Sequence, residues 1–152
     1  EFRRVLFRSF IERTYPARNT RDGRLLLGFS KSGWGAWSLL LRHPATFSRA
    51  AAWDSPMMMD RPLYGMAPIV GPMENFERYR IPNLLLEHGQ ALGPAPRLLL
   101  MGYDNFRVPT QQAHALLEEL KIPHAYRDGP QRKHHWNTGW VEEAARWLVT
   151  GE

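Results

Sequence analysis

Residues 24–53 read RLLLGFSKSGWGAWSLLLRHPATFSRAAAW, and this stretch decides the fold. It opens with a short apolar run, Arg24–Phe29, which is bounded by turn residues as expected of a buried strand. Lys31–His43 follows with apolar residues at helical spacing and ends before Pro44, which disfavours helix at the residue before it. Arg49–Trp53 is a second apolar run. The stretch therefore predicts strand, helix and strand, the repeating unit of a parallel sheet.

The rest of the chain continues this alternation. Two more strands are predicted at Arg97–Met101 and His124–Arg127. Helices are predicted at Phe10–Tyr15, at Glu74–Gln90 in two pieces broken near Pro82, at Pro109–Lys121 and at Gly139–Val149. Asp54–Met73 has no clear period and reads as a loop, long enough to indicate a functional insert. Strands separated by helices indicate an α/β fold, with a mostly parallel sheet flanked by helices.

The composition is that of a globular chain and excludes several classes of protein. The 152 residues are 43% hydrophobic and 23% charged, with a net charge of +5, which does not fit a disordered chain. The basic residues are scattered, whereas nucleic-acid binders gather them in a stripe or a known module. The absence of cysteine excludes disulfides, thiolate metal sites and a cysteine nucleophile. No apolar stretch approaches the ~20 residues that span a bilayer. We expect a small-molecule substrate.

The junction of the first strand and helix carries the clearest chemical signal. It reads Gly28–Phe29–Ser30–Lys31–Ser32, or G-x-S-x-S. A serine at a sharp strand-to-helix turn is a nucleophile elbow, and its strained backbone requires small residues two places to either side. Gly28 and Ser32 meet this requirement, although Ser32 stands where glycine is usual. The turn would raise the Ser30 hydroxyl above the carboxyl edge of the sheet, where ligands bind in open α/β folds.

The residues that follow Ser30 suit an oxyanion site. Lys31 begins the predicted helix, so its backbone N–H can donate to an oxyanion beside the positive end of the helix dipole. Gly33 and Gly35 are predicted to let the helix pack close to the sheet.

A nucleophilic serine requires a base, and the base requires an orienting acid. The base candidates are the adjacent His134 and His135, in the loop after the fourth strand. The acid candidate is Asp104, just after the third strand, where a carboxylate can face the site. Asp54, just after the second strand, is the rival acid and could instead line the pocket.

These motifs resemble the esterase branch of the α/β-hydrolases, which includes esterase D-like S-formylglutathione hydrolases, antigen 85-type mycolyltransferases and feruloyl esterases. Residues 10–15 (FIERTY) look like the helix before the elbow strand, and residues 25–53 like the elbow, its helix and the next strand. Residues 121–136 (KIPHAYRDGPQRKHHW) resemble the final strand and histidine loop, where a tryptophan follows the histidine by two places. This spacing favours His134, with Trp136 in the tryptophan position.

The resemblance implies a serine esterase without metal or cofactor. Ser30 is then the nucleophile, His134 the general base, Asp104 the acid and Lys31 the oxyanion donor. His135 remains the alternative base. The predicted pocket residues are Phe29, Trp53, Asp54 and Trp136, with Trp136 packed behind the histidine. Met57, Met58, Met59 and Tyr64 could line an acyl or aryl pocket or pack in the core.

The chain also departs from this family. Almost nothing precedes the elbow, so we expect a partial α/β-hydrolase fold with its early strands missing, in which residues 10–152 are the C-terminal portion of one domain. The loop with the second oxyanion donor would lie in the absent part, and its loss should cost ~10²–10³ in rate. Residues 1–9 (EFRRVLFRS) fit no secretory pattern and look like a non-native tail. An unpaired first strand predicts self-association through its edge.

Two other functions share these motifs. A related serine peptidase or acyltransferase would use the same three residues. A non-catalytic binding or accessory module with a hydrolase fold would bind a ligand without forming an acyl-enzyme, and the unusual Ser32 is compatible with it.

Overall fold

Four parallel strands form one sheet in the computed structural model, which describes residues 9–152. The strands are β1 (Leu25–Phe29), β2 (Arg49–Trp53), β3 (Leu98–Met101) and β4 (His124–Arg127), and they lie in this order. Each strand pairs with the next in parallel, as the sequence predicts. The proposed non-native tail lies outside the described residues except for Ser9, and residues 9–14 are helical.

Besides the helical residues 9–14, six helices and two short 3₁₀ turns accompany the strands in the described part of the chain. The helices are α1 (Lys31–Arg42), α2 (Ala67–Val70), α3 (Met73–Glu77), α4 (Ile81–His88), α5 (Arg107–Glu119) and α6 (Trp140–Thr150). The segment predicted as a loop contains α2. The break predicted near Pro82 is wrong by a few residues, because the chain interrupts its helix at residues 78–80. Pro82 instead lies in the first turn of α4, where a proline costs no intrahelical hydrogen bond.

The sheet separates two hydrophobic cores, because alternate residues of a strand point to opposite faces. One core contains Ala50, Ala52, Leu98 and Leu100 together with apolar residues of α1, α4 and α5. The other contains Ala51, Trp53, Leu99 and Met101 and packs against Trp140, Ala144, Trp147 and Leu148 of α6. Burial of both faces explains why the central strands are continuous apolar runs rather than alternating ones.

The first strand forms one edge of the sheet. Within residues 9–152, β1 pairs only with β2, and its Leu27 side chain is 41% exposed. An exposed strand edge offers unpaired backbone groups to another chain. None of the helices in the described residues has the length and hydropathy required to cross a membrane.

Candidate active site

Ser30 occupies a strained turn between β1 and α1. Its backbone has φ 53° and ψ −128°, a conformation that L-residues adopt only when the surrounding structure holds them there. Two contacts hold this turn: the Ser30 N–H donates to the Trp53 carbonyl (3.0 Å), and the Ser30 carbonyl accepts from Gly33 N–H (3.0 Å). The first of these ties the elbow to the end of β2. The turn has the geometry expected of a nucleophile elbow.

Tight packing around the elbow explains two of its glycines. A Cβ at Gly28 would collide with the backbone of Ser32 and Gly33, and a Cβ at Gly33 would collide with the Ser55 hydroxyl. The predicted role of Gly35 is wrong, because a Cβ there would meet no atom within 4 Å. Ser32 is exposed, and its hydroxyl donates to the Phe29 carbonyl (2.8 Å), so a serine is accommodated where glycine is usual.

The imidazole of His134 is held by Asp54. Its Nδ1 lies 2.5 Å from Asp54 Oδ2. Asp54 is fully buried and follows β2 directly, with φ 41°. Its carboxylate also accepts the backbone N–H groups of Asn105 (3.2 Å) and Phe106 (2.8 Å). Because an ionised carboxylate can only accept, Nδ1 carries the hydrogen and Nε2 of the neutral ring is the basic nitrogen.

Asp54 can approach the loop after β3 because residue 102 is a glycine. The Asp54 N–H donates to the Met101 carbonyl (2.8 Å), which continues the sheet by one residue. At Gly102, a Cβ would lie within 3.0 Å of three Asp54 atoms, and the backbone has φ +132°. Only glycine meets both conditions without strain.

Asp104 binds a different part of His134. Its carboxylate accepts the backbone N–H of His134, so it fixes the main chain of the histidine loop and not the imidazole. The expectation that Asp104 orients the ring therefore differs from this geometry, in which Asp54 makes that contact. The sequence placed both residues just after strands, and that signal alone does not separate them.

Aromatic rings surround the His134 imidazole. The ring of Phe29 lies 4.5 Å from it, that of Phe106 5.4 Å and that of Trp53 6.3 Å, measured between centroids. The first contact places the imidazole against the side chain of Phe29, the residue that precedes Ser30. The predicted packing of Trp136 behind this histidine is wrong: Trp136 is 62% exposed, and its ring faces that of His135.

His135 is turned toward its own loop. Its Nδ1 accepts the Asn137 backbone N–H (3.1 Å), and its carbonyl accepts from the Trp140 indole (3.2 Å). The side chain is exposed. This geometry favours His134 over His135 as the residue beside Ser30.

An open cleft of about 550 Å³ lies beside the elbow, and neither His134 nor Asp54 is among its lining residues. Ser30, Lys31 and Ser32 form its polar rim, and Asn75 also lines it. Its apolar wall comprises Phe29, Trp34, Met66, Ile69, Val70 and Tyr79. Of the predicted pocket residues, Phe29 lines the cleft, whereas Trp53, Met57 and Met59 are buried in the core. The sequence signal for the remaining wall was the i, i+3, i+4 spacing of Met66, Ile69 and Val70, within the segment predicted as an insert.

Lys31 is the first residue of α1, as predicted, so its N–H belongs to the unsatisfied first turn of the helix. Its side chain is exposed, and Nζ donates to the Tyr64 carbonyl (3.1 Å). This contact ties the loop after β2 to the rim of the cleft.

Charged pairs hold the loops that carry the site. Glu143 of α6 accepts from Arg127 (2.8 Å) and from Arg132 (3.2 Å), the latter in the histidine loop. Arg107 pairs with Asp128 (3.1 Å), and its hydrogen bond holds the pKa of that carboxyl below its usual value, while burial acts in the opposite direction.

Searches with the sequence identify no relatives: no protein-family model matches the chain, and no curated protein matches it. Searches with the structure do. An S-formylglutathione hydrolase from Staphylococcus aureus superposes with a TM-score of 0.76 at 19% identity, over 96% of this chain and 62% of that one. The fluorophosphonate-binding serine hydrolase F of the same organism gives 0.78 at 17% identity with the same coverage.

A ferulic acid esterase is also similar, with a TM-score of 0.69 at 19% identity, covering 95% of this chain and 56% of the esterase. The chain thus spans about 62% of the length of the first two neighbours. It has the α/β-hydrolase fold over the part that they share, and its four parallel strands form a partial domain of that fold.

Proposed function

We propose that this chain carries the catalytic residues of a serine hydrolase that cleaves carboxylic esters. Ser30 is the nucleophile, His134 the general base and Asp54 the acid that orients the imidazole. The acid differs from Asp104, which the sequence favoured. The neighbours named above are hydrolases and esterases, which supports this assignment.

One observation carries the proposal: the fully buried Asp54 holds the partly exposed His134 ring at the same sheet edge as the strained Ser30. A buried carboxylate is costly unless its charge is compensated. Asp54 makes three contacts, one with an imidazole and two with backbone N–H groups. This compensated charge, at the same sheet edge as a strained serine, supports the assignment of these residues to nucleophilic catalysis.

The reaction would proceed through an acyl-enzyme. Ser30 Oγ attacks the carbonyl carbon of the ester while its proton moves to His134 Nε2. The C–O bond to the alcohol then breaks, and His134 returns the proton to the leaving oxygen. Asp54 stabilises the imidazolium that exists between these two transfers.

Hydrolysis of the acyl-enzyme uses the same groups in reverse. His134 removes a proton from water, the resulting oxygen attacks the acyl carbon, and Ser30 leaves with the proton. The Lys31 N–H would donate to the oxyanion in both halves of the reaction. A second donor would come from a part of the neighbours' fold that this chain does not span. The apolar wall of the cleft favours an acyl or aryl group next to Ser30.

The test is labelling of the chain with a fluorophosphonate probe, followed by mass-spectrometric mapping of the modified peptide. We expect the label on Ser30, with no label on Ser30→Ala and strongly reduced labelling of His134→Ala. His135→Ala is the matched control, since it removes the adjacent exposed imidazole and should leave labelling intact.

Two results would contradict the proposal. Labelling that persists in Ser30→Ala would place the nucleophile elsewhere. A chain that is folded by circular dichroism and not labelled would favour a non-catalytic binding module. If Ser30 is labelled, turnover of ester, amide and acyl-transfer substrates would separate an esterase from a peptidase or an acyltransferase.

We also propose that the chain self-associates through β1, since this strand ends the sheet within the described residues and exposes Leu27. Size-exclusion chromatography with light scattering tests this proposal. We expect dimers or larger species that dissociate in Leu27→Lys, because a charge on an edge strand opposes pairing. A monomer with a cooperative unfolding transition would overturn it.

A further inference from the structure

A second group of histidines lies at the start of β4, the opposite end of the strand from the histidine loop. His114 and Glu118 lie four residues apart on α5, so both project from the same face of the helix. His124 is the first residue of β4 and faces them. One ligand atom from each of the three side chains lies within 4.8 Å of the other two.

The distances within this cluster suit a tetrahedral metal ion. His114 Nδ1 lies 2.8 Å from His124 Nε2, and that same Nε2 lies 3.7 Å from Glu118 Oε1. Two ligand atoms of a tetrahedral Zn²⁺ site, each about 2.0–2.1 Å from the ion, are separated by roughly 3.3 Å. The two observed distances bracket this value, so a shift of about half an ångström in each of these two pairs would give the separation of metal ligands.

His124 is already oriented as a metal ligand. Its Nδ1 lies 2.8 Å from the Ile122 carbonyl, which can only accept, so Nδ1 carries the hydrogen. The lone pair of Nε2 is thereby directed at His114 and Glu118. A ring nitrogen that donates to a backbone carbonyl is the usual support of a metal-binding histidine. The side chain is only 3% exposed, so its position is fixed by packing.

His114 is held by stacking. Its ring lies 3.9 Å from that of Tyr126 at an angle of 14°. In the metal-free arrangement its Nδ1 donates to His124. Binding of an ion requires only that this hydrogen moves to Nε2 of the same ring. Glu118 is 67% exposed, which gives the ion a route from solvent.

We propose that His114, Glu118 and His124 bind one Zn²⁺ ion, which ties α5 to β4. Two imidazoles and a carboxylate are a ligand set that zinc favours, and a water would complete the tetrahedron. The site is separate from Ser30 and takes no part in the proposed hydrolysis. Its test therefore does not depend on turnover.

Calorimetric titration of the folded chain with Zn²⁺ provides the test. We expect one equivalent to bind and to raise the melting temperature, because a ligand that binds only the native state stabilises it. His114→Phe retains a ring for the Tyr126 stack but removes a ligand, and it should abolish binding. Glu118→Gln changes an exposed side chain and should weaken binding by about tenfold or more, the scale for a perturbed metal site.

Two matched controls locate the site. His88→Ala removes an exposed histidine of α4, and His135→Ala removes one of the histidine loop; both should bind zinc as the parent chain does. The proposal is overturned if the parent chain binds no zinc, if Glu118→Gln binds it with unchanged affinity, or if His135→Ala loses it. Circular dichroism of each variant verifies that a loss of binding is not a loss of fold, and Glu118→Gln keeps the test decisive if His114→Phe does not fold.

Discussion

The loops that follow β2 and β3 each place an aspartate at the carboxyl end of the sheet, and both aspartates bind His134. Asp54, after β2, is fully buried and contacts the ring. Asp104, after β3, is partly exposed and contacts the main chain. One carboxylate can therefore set the tautomer of the His134 ring, whereas the other can set only the position of its main chain. The comparison teaches that a position after a strand does not distinguish the two aspartates, whereas burial and the atom contacted do.

The largest effect should come from Asp54→Asn. The amide can present a donor to Nδ1, which would favour the hydrogen on Nε2 and leave the base in the wrong tautomer. We expect a loss of about 10³–10⁴ in kcat or in the rate of fluorophosphonate labelling. Stopped assays over a range of probe concentrations measure this rate.

Asp22→Asn serves as the control, since Asp22 is an exposed carboxylate in the turn before β1. If Asp54→Asn retained more than a tenth of the labelling rate, Asp54 would be only a structural residue and the comparison would fail.

Gly102→Ala tests whether the labelling rate depends on the close approach of the loops after β2 and β3. The new Cβ would meet Asp54 backbone atoms and would require a positive φ that alanine disfavours. A displacement of about 1 Å at a catalytic group costs on the order of 10²-fold. We expect this loss in labelling together with a lower melting temperature. Gly93→Ala is the matched control, because Gly93 also has a positive φ (+80°) while its Cβ would meet no atom within 4 Å. Unchanged labelling in Gly102→Ala would show that Asp54 needs no such fit.

Substitution of Asp104 should have a smaller effect that depends on the replacement. Asp104→Ala removes the acceptor of the His134 N–H, and we expect about a 10-fold to 10²-fold loss in kcat with little change in KM. Asp104→Asn retains an acceptor oxygen and should recover most of this loss. This rescue is the signature of a positioning residue. Equal losses in both variants would instead indicate that the charge of Asp104 acts on the ring.

The comparison also shows which features of the site could be predicted from the sequence. The elbow could be predicted, because it depends only on local features of the sequence: the strand pattern, Gly28, Ser30 and the helix pattern. The parallel order of the strands followed from their alternation with helices. The choice between Asp54 and Asp104 could not be made, because it depends on a contact between residues 80 positions apart. The cleft wall had only a short local signal, the spacing of Met66, Ile69 and Val70, because α2 is only four residues long and so short a helix depends on tertiary packing.

Glu143→Gln tests how the histidine loop is held, independently of both aspartates. The neutral side chain would weaken the ion pairs with Arg127 and Arg132, which are about a quarter exposed. We expect a loss of about 1 kcal/mol or less in stability and a few-fold loss in labelling rate, the scale for ion pairs near the surface. Glu142→Gln is the matched control, because Glu142 pairs with Arg146 on the exposed side of α6. A large loss of labelling in Glu143→Gln would mean that the anchoring of the histidine loop affects the labelling rate as strongly as Asp54 does.

The smallest effect should be a pH dependence at the Arg107–Asp128 pair, which joins the first residue of α5 to the end of β4. Arg107 also covers the Tyr103 ring at 3.8 Å, so the pair closes the loop that carries Asp104. Its hydrogen bond lowers the pKa of Asp128 in the folded chain. The unfolded value is about 3.8, so this contribution to stability is complete above about pH 5 and is lost as the pH falls through the lower, folded pKa. Thermal unfolding of the parent chain and Asp128→Asn between pH 3 and 7 should therefore differ slightly near neutrality and converge in acid. Convergence in the opposite direction would mean that the pair does not hold this loop, and that the backbone contact of Asp104 is maintained by the sheet alone.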